Sequence, residues 1–306
     1  MTGPDFSSPL LEATRDRLLA RFGAPLVEPW WAGLPSLLAD LAARWEFAVG
    51  DAVGRGNTSL VLRCRRADRR AAILKLTPDA GLAAAEGAAL RGWGPSGRVP
   101  HVWEDDAAVG ALLLEAIRDE RPLPELRSTV DVAEIAGLVD ALHRAAPPTV
   151  LDRAEPLAGR LEFIFALWIE RHSARGEAVT RAVPVERLHR GRELARLLAA
   201  DALPPVLLHG DLHPGNVLDG GPERGLVAID PRPCVGEAAV DLVDWVFWGV
   251  DPAAWEPRSR ELAAALDLEQ ERLWAWCAAF GAMLAASRAG QGAEPEEIAA
   301  LLALAP

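Results

Sequence analysis

The segment HGDLHPGN, residues 209 to 216, together with an aspartate that follows it, constrains this chain more than any other feature. Asp211 lies five positions before Asn216, and Asp230 ends an apolar run 14 residues further along. Phosphoryl transfer needs an aspartate that accepts the proton of the attacking hydroxyl, and an asparagine and a second aspartate that hold a metal ion beside the phosphates. The spacing therefore predicts a phosphoryl-transfer site with a candidate for each role.

The same segment admits a second interpretation as a metal centre. His209, Asp211 and His213 alternate along the chain, and alternate residues of a strand share one face. The Pro-Gly pair that follows favours a loop, and no second pair of histidines in the sequence completes such a site. A metal-dependent hydrolase is therefore the alternative, but it gives the asparagine and the second aspartate no role.

Basic residues are distributed unevenly between the two cation types. Of 32 basic side chains, 31 are arginines and one is a lysine, Lys75, in the strand-like run AAILKL. Arginine is a wide planar fork, whereas lysine carries a compact ammonium on a slim stem, so a retained lysine marks a position that suits a point charge; chance is the alternative. Its apolar neighbours predict a half-buried ammonium, which needs an anionic partner.

Length and charge limit the remaining possibilities. At 306 residues the chain is long enough for two lobes, and we expect one functional unit made of both. The net charge of −12 argues against a nucleic-acid partner, which would require a basic face. The sequence has no secretory signal, no membrane-length apolar run and three widely spaced cysteines, so we expect a cytoplasmic protein with no membrane partner.

Apolar periodicity divides the chain into a strand-rich part and a helical part. We place the boundary at 117/118, with leading helices within residues 9–46, a nucleotide-binding lobe over 1–117 and a helical lobe over 118–306. The predicted helices are 9–22, 35–47, 80–93, 131–145, 157–172, 184–200 and 273–290. The predicted strands are 59–65, 71–76 and 108–117, and strand-like pieces lie within 206–220 and 225–233.

HGDLHPGN followed by IDP resembles the aminoglycoside phosphotransferase family, small-molecule kinases with the protein-kinase-like fold. The resemblance extends over most of the chain, and IDPRPCVGEAAVDLVDWV is most similar to the streptomycin 6-kinase and hydroxyurea phosphotransferase branch. It implies a bilobal α+β fold, with a small antiparallel-sheet N-terminal lobe and a larger, mainly helical C-terminal lobe. It also implies ATP as phosphoryl donor and Mg²⁺ as cofactor.

The resemblance assigns roles to the residues of the catalytic segments. Asp211 would be the catalytic base, and Asn216 and Asp230 the magnesium ligands. His209 would support the catalytic loop. Asp241, in VDLVDW, matches the family's downstream acid and would brace that loop; an ordinary helix N-cap is the equal alternative.

The resemblance also implies a nucleotide-binding set before the linker. Lys75 would reach the α- and β-phosphates, and Glu86 on the next helix would pair with it. The segment GRGNTS, residues 54–59, would approach the phosphates, although it lacks a third glycine. The expected loop contacts come from Gly56, Asn57, Thr58 and Ser59, and the expected backbone contacts to adenine from Glu115 to Ile117.

The acceptor is the least constrained part of this interpretation. Asp131, Glu134 and Asp140 lie after the linker and are candidates for binding a cationic sugar, although most acids on a helix only form its solvated face. We expect a streptomycin-type aminoglycoside as acceptor. Hydroxyurea or another small alcohol is the alternative within the class, and a catalytically silent nucleotide-binding regulator is the alternative outside it. The sequence indicates no oligomeric state.

Overall fold

The structure is a computed structural model that describes residues 6–54, 56–145, 147–201 and 203–304. The chain divides into two compact units, one up to Glu120 and one from Arg121 onwards. The boundary predicted from the sequence falls three residues earlier. Within the described ranges, no helix has both the length and the apolar character that crossing a membrane requires.

The first unit is a five-stranded sheet preceded by two helices. Its strands follow the spatial order β1-β2-β3-β5-β4, and every neighbouring pair is antiparallel. Its elements are α1 (Pro9–Phe22), α2 (Ala24–Arg44), β1 (Phe47–Val53), β2 (Leu60–Arg66), β3 (Ala71–Leu76), α3 (Ala80–Trp93), β4 (Val102–Asp106) and β5 (Ala111–Glu115).

The core of this unit is formed by side chains that point inward at alternate positions of the strands and by apolar residues that recur at helical spacing in the leading helices. In β2, Leu60, Leu62 and Cys64 point inward, while Arg63 and Arg65 on the opposite face are exposed. The buried face of α2 recurs every three or four residues and packs in the same hydrophobic cluster as these strands. That face consists of Val27, Trp31, Leu34, Leu38 and Leu41. The leading helices are therefore part of the fold of the first unit.

Several predicted bounds in the first unit are wrong. The second helix begins at Ala24 and not at Pro35, because its apolar face continues through two internal prolines, and it ends at Arg44 so that β1 can begin at Phe47. The strand predicted over 108–117 is shorter, because Gly110, at φ 70°, ends a 3-10 turn just before it. Strands β1 and β4 were not predicted, and a register shift interrupts each of their pairings.

The second unit is mainly helical and carries two small sheets. One sheet has the order β6-β10-β7 and the other pairs β8 with β9. Its helices are α4 (Val132–Ala145), α5 (Pro148–Leu151), α6 (Leu157–Glu170), α7 (Glu177–Ala182), α8 (Val185–Ala199), α9 (Val243–Phe247), α10 (Trp255–Ala265), α11 (Gln270–Gly290) and α12 (Pro295–Leu304). Its strands are β6 (Glu155–Pro156), β7 (Val206–Leu208), β8 (Val217–Asp219), β9 (Leu226–Ala228) and β10 (Cys234–Gly236). The α+β class is confirmed, with the antiparallel sheet in the first unit and a mainly helical second unit.

Helix α11 is central to the second unit. It buries Trp276 and Cys277 completely and packs closely on α8, where a Cβ added to Gly191 would lie 2.4 Å from the carbonyl oxygen of Ala279. The short strands β7, β8, β9 and β10 carry the predicted catalytic segments at their ends. Strands β6 and β10 were not predicted, because runs of two or three residues show no periodicity.

Candidate active site

One buried carboxylate, that of Asp241, fixes the start of the loop that follows β7. Asp241, 3% exposed, accepts hydrogen bonds from the backbone N–H groups of His209 (2.8 Å) and Gly210 (2.9 Å). It also accepts a third from His143 Nε2 on α4, at 3.0 Å. Burial alone would raise the pKa of Asp241, but the hydrogen bonds from His143 and from the Gly210 N–H help to outweigh it, and that pKa is held below its ordinary value. The carboxylate therefore stays ionised and fixes the start of the loop.

Gly210 makes the turn that brings the loop to the next catalytic segment. Its φ of +73° is in the left-handed region, and an added Cβ would lie 2.1 Å from the carbonyl oxygen of Arg232. The N–H of Arg232 donates to the carbonyl of His209 at 2.8 Å, so the two segments are in direct backbone contact. Only glycine meets both requirements at this position.

Asp211 and Asn216 are in direct contact within the loop. The Asn216 amide nitrogen donates to the backbone carbonyl of Asp211 at 2.9 Å and to its Oδ2 at 3.2 Å. The N–H of Asn216 donates to the carbonyl of His213 at 2.8 Å, which closes the short turn between them. Both amide hydrogens of Asn216 therefore point to Asp211, and its amide oxygen is left to face another partner.

Asp230 lies on the segment that pairs with this loop. Its φ of +59° is unusual for a residue with a side chain, and it is held by backbone hydrogen bonds on either side. Ile229 donates to the carbonyl of Asn216 at 2.9 Å, and Arg232 donates to that of His209. A strained conformation enforced by its surroundings is typical of functional positions. Asn216 and Asp230 together offer the oxygen donors that Mg²⁺ prefers.

His209 is completely buried beneath the loop. Its Nε2 lies 3.1 Å from the carbonyl oxygen of Ile229, so the side chain connects the loop to the strand that precedes Asp230. Burial lowers the pKa of His209, although the charges of Asp241 and Asp211 oppose the shift. The ring is neutral at pH 7 and acts as a structural link.

The alternative metal site is not formed. Of the residues that the structure describes, no three His, Cys, Asp or Glu side chains are grouped so as to hold a metal ion. His209 faces a backbone carbonyl, and His213 Nδ1 accepts the N–H of Gly215 at 3.1 Å. The two imidazoles therefore have separate local partners.

In the first unit, Lys75 and Glu86 form a buried ion pair. Lys75 lies on β3 and is 9% exposed, Glu86 lies on α3 and is 5% exposed, and the Nζ–Oε1 distance is 2.5 Å. Helix α3 is positioned by Asp79, whose carboxylate accepts the N–H groups of Gly81 and Leu82 at its start. The structure thus brings together Lys75, which was predicted to reach the phosphates, and Glu86, which was predicted to pair with it.

The glycine-bearing loop lies between β1 and β2, as the sequence suggested, and Arg55 within it is outside the described residues. Arg17 of α1 donates to the carbonyls of Gly54 (3.1 Å) and Gly56 (3.2 Å) and so ties the loop to the leading helix. Asn57 is exposed. The side chains of Thr58 and Ser59 are buried, so the backbone of the loop is better suited than its hydroxyls to meet a phosphate.

The predicted adenine-binding segment ends β5. Glu115 donates its N–H to the carbonyl of His101 at 2.8 Å, and its carboxylate accepts the N–H of His101 at 3.0 Å. Ile117 follows two residues later and is buried. The predicted backbone contacts to adenine, from Glu115 to Ile117, therefore fall at the end of β5 and just after it.

The acids suggested for the acceptor are engaged or dispersed in the structure. Glu134 is ion-paired with Arg127 at 3.0 Å, and Asp140 with Arg144 at 2.6 Å, whereas Asp131 precedes α4 and is exposed. The structure does not bring these three carboxylates together with Asp211 through any direct contact between described residues.

Comparison with known proteins identifies the family. Residues 44–292 match the family model described as aminoglycoside/hydroxyurea antibiotic resistance kinase. The chain belongs to this family. The kinase is 33% identical over 262 residues to a hydroxyurea phosphotransferase of Kitasatospora aureofaciens, covering 84% of this chain and 73% of that protein. It is 31% identical over 238 residues to a streptomycin 6-kinase of Streptomyces griseus, covering 78% and 73%.

Solved structures with a similar fold are also kinases and phosphotransferases. Choline kinase LicA from Streptococcus pneumoniae aligns with a TM-score of 0.58 at 15% identity, over 88% of this chain and 98% of that one. Macrolide 2'-phosphotransferase MphH from Brachybacterium faecium aligns with a TM-score of 0.55 at 19% identity, over 89% and 97%. At these identities the likeness concerns the fold, which is that of the protein-kinase-like phosphotransferases.

The structure of the kinase shows three functional candidates that sequence reasoning missed. His143 forms the third hydrogen bond to the Asp241 carboxylate. The two residues lie 98 positions apart in the chain, so no local spacing in the sequence indicates this contact. Arg160 lies on α6, within electrostatic reach of Asp211. Asp244 follows Asp241 by three residues, and this spacing was the one feature of the sequence that could have indicated it. No residue that the structure describes donates a hydrogen bond to the Asp244 carboxylate. Burial raises the pKa of Asp244; the His213 imidazole opposes the shift and the Asp211 charge adds to it.

Proposed function

We propose that this kinase is an ATP-dependent O-phosphotransferase that inactivates an aminoglycoside, and that its acceptor is the hydroxyl on carbon 6 of the streptidine ring of streptomycin. The proposal is carried by the loop that follows β7, whose start is fixed by Asp241. In this loop Asp211 contacts Asn216, and the segment that is hydrogen-bonded to it contains Asp230. Family membership supports phosphoryl transfer, and the relatives include a streptomycin 6-kinase. A cytoplasmic location, where ATP is available, is part of the same proposal.

Asp211 is assigned as the base of the reaction. Its carboxylate accepts the proton of the acceptor hydroxyl while the hydroxyl oxygen forms a bond to the γ-phosphorus. The bond from that phosphorus to the β,γ-bridging oxygen breaks, and ADP leaves with the electron pair. The Asn216 amide nitrogen, 3.2 Å from Asp211 Oδ2, orients the carboxylate for this step.

Asn216 and Asp230 are the residues that would hold Mg²⁺. An amide oxygen and a carboxylate suit this hard cation, and both belong to segments that are joined by backbone hydrogen bonds. When bound, Mg²⁺ would neutralise charge on the phosphates. Lys75 is assigned to the α- and β-phosphates, with Glu86 holding its ammonium.

A cationic acceptor fits the charge of the chain. The net charge is −12, and Asp244, whose pKa is raised by burial, is a half-buried acid whose ionised form a cation in the surroundings of Asp211 would favour. Guanidinium groups such as those of streptomycin bind carboxylates through paired hydrogen bonds. Asp131, Glu134 and Asp140 stay proposed contacts for the outer part of such an acceptor. Hydroxyurea carries no charge at pH 7 and would gain no charge–charge attraction from these carboxylates.

The test of the acceptor is an assay of the purified protein with ATP and Mg²⁺. The panel should contain streptomycin, aminoglycosides without streptidine, and hydroxyurea, and mass spectrometry should locate the phosphate added. We expect phosphorylation of streptomycin on the streptidine ring. Phosphorylation of hydroxyurea alone would support the alternative that the hydroxyurea phosphotransferase relative suggests.

Asp211→Asn and Asp211→Ala test whether the protein is a working kinase. Both variants should lose turnover while still binding nucleotide, because the base is removed and Lys75 is kept. Asp152→Asn, which changes an exposed carboxylate of the same unit, is the matched control and should keep full activity. Undiminished turnover of both Asp211 variants would contradict the assignment, and a wild-type protein that binds ATP without any turnover would indicate a regulator.

A further inference from the structure

Arg160 is a cation with an unusual environment in the second unit. Its side chain is half-buried, and its Nε is buried without a hydrogen-bond partner among the residues that the structure describes. Its guanidinium carbon lies 5.7 Å from the centre of the Phe163 ring, one turn along α6. Within the described ranges it forms no ion pair. An arginine held in this way retains its hydrogen-bonding capacity for a partner that is not part of the chain.

The fold places this arginine at the catalytic end of the second unit. Strand β6 leads directly into α6 and pairs with β10, where Glu155 is opposite Cys234. Strand β10 pairs in turn with β7, where Cys234 is opposite Leu208, the residue that precedes the catalytic loop. Strand β6 is thus separated from β7 by β10 and runs antiparallel to β7. A Cβ added to Gly159, the residue before Arg160, would lie 2.7 Å from Oε1 of Glu155, so Arg160 lies beside the Glu155–Cys234–Leu208 row next to the catalytic loop.

The charges around Arg160 agree with this placement. Burial lowers the pKa of its guanidinium, and the carboxylate of Asp211 is the strongest opposing influence. Arg232, which follows Asp230 by two residues, adds a second positive charge nearby. Asp211 acts on Arg160 through space, and Glu155 does so more weakly, but neither carboxylate forms a hydrogen bond or an ion pair with it among the described residues. The charge of the arginine is therefore not neutralised by a direct bond to the base.

The ligand that fits this position is an anion that arrives at Asp211. The cationic acceptor would be repelled by Arg160, whereas the phosphoryl group in transit carries its charge on three oxygens within reach of the base. We propose that the guanidinium of Arg160 binds oxygens of the transferring phosphoryl group and stabilises their charge while the acceptor oxygen displaces ADP. This inference rests on phosphoryl transfer at Asp211.

The experiment measures binding of a transition-state mimic. Titration calorimetry with ADP and Mg²⁺, with and without aluminium fluoride, should compare wild type, Arg160→Gln, Arg160→Lys and the control Arg153→Gln. Arg153 is exposed and lies seven positions earlier, so its substitution removes the same charge outside the site. In wild type and control, aluminium fluoride should tighten ADP binding. In Arg160→Gln that gain should fall about 10- to 100-fold, as loss of a charge-assisted hydrogen bond implies, with ADP affinity unchanged.

Turnover provides the second readout. Arg160→Gln should lower kcat on the order of 100-fold, as for other donors to developing charge, with little change in the KM for ATP. Arg160→Lys should recover only part of the loss, because a point charge replaces a planar fork. If no acceptor is found, ATP hydrolysis serves as the turnover readout, and the calorimetry needs no acceptor at all.

Three outcomes would overturn the inference. They are an unchanged aluminium fluoride gain in Arg160→Gln, complete recovery by Arg160→Lys, and no gain in the wild-type protein. Complete recovery by lysine would mean that Arg160 only adjusts the charge of Asp211. If Arg160→Gln fails to fold, the comparison of Arg160→Lys with wild type still decides, since a bound phosphoryl group requires lysine to be inferior.

Discussion

At the scale of single residues, Lys75 is expected to depend on both the charge and the shape of its side chain. It is buried with Glu86 on a strand whose neighbours are apolar, in a chain that otherwise uses arginine. Lys75→Arg keeps the charge but widens the head group. Losing a charge-assisted hydrogen bond to a phosphate costs about 1.5–3 kcal/mol, so kcat/KM for ATP should fall roughly 10- to 100-fold.

Steady-state kinetics with varied ATP measure this effect. Arg65→Lys, the reverse exchange on the exposed face of β2, is the matched control and should leave the kinetic constants unchanged. Unchanged constants in Lys75→Arg would mean that the lone lysine is an accident of composition.

His209 makes stability depend on pH. Its folded pKa is lowered by burial, so below pH ~6.5, the ordinary pKa of histidine, the unfolded chain binds a proton that the folded protein does not. The free energy of unfolding should then decrease as the pH falls from 6.5 towards the folded pKa, by up to ~1.4 kcal/mol per pH unit. His209→Gln cannot titrate and should show a shallower decrease.

Urea denaturation between pH 7 and pH 5, without metal or nucleotide, checks this expectation. His101→Gln removes an exposed histidine and should follow the wild-type profile. Identical slopes for wild type and His209→Gln would show that His209 is not the titrating group.

At the residue scale, the sequence predicted what is local. Asp211 and Asn216 are five positions apart and touch, and Asp230 ends a run that pairs with their loop. What joins segments far apart in the chain was not predictable in the same way. The His143–Asp241 contact spans 98 positions and depends on how α4 packs, which no spacing encodes.

At the scale of the elements, two helical glycines that look alike in the sequence differ in how closely other atoms approach them. Gly191 of α8 is where α11 approaches, and an added Cβ would lie 2.4 Å from the carbonyl of Ala279 and 3.3 Å from the Phe165 ring. Gly137 of α4 has nothing within 4 Å of an added Cβ. Gly191→Ala should destabilise the kinase by about 1–3 kcal/mol through overpacking, whereas Gly137→Ala should stabilise it by about 0.5–1 kcal/mol.

Chemical denaturation of both variants measures the two opposite shifts. Since each exchange adds the same methyl group to a helix, the difference isolates the helix–helix approach. Equal effects of the two substitutions would show that α8 and α11 can separate without penalty.

The elements were predicted best where a periodic face and a cap coincide. Helices α1 and α3 have the predicted bounds, the first with Pro9 at its start and the second with Asp79 capping it. Helix α2 was predicted only in its second half, because internal prolines normally end a helix and here the buried face outweighs them. Strands of two or three residues depend on their partners for their existence, so β6 and β10 had no signal of their own.

Considering the whole molecule, the cysteines share one property across both units. Cys64, Cys234 and Cys277 are free and buried, and burial raises the pKa of Cys64 and of Cys234 to about 12. Because the thiolate is the reactive species, a thiol reagent at pH 8 should label none of the three in the folded protein and all three after denaturation. Ser173→Cys, at an exposed position, should label rapidly and serves as control.

Labelling followed by mass spectrometry counts the modified thiols. Rapid modification of any native cysteine in the folded protein would show that its unit opens on the time scale of the reaction. The result would apply to the first unit for Cys64 and to the second for the other two.

The family match begins at residue 44, yet the hydrophobic core of the first unit begins at Leu11. Leu18, Val27 and Leu34 of the leading helices are fully buried in that core, and Arg17 holds the glycine-bearing loop by its carbonyls. A fragment trimmed to the family limits would therefore expose one apolar face of its sheet to water and release the loop that should meet the phosphates. Gene fusions and truncated homologues of this kinase should be judged by whether these two helices are kept.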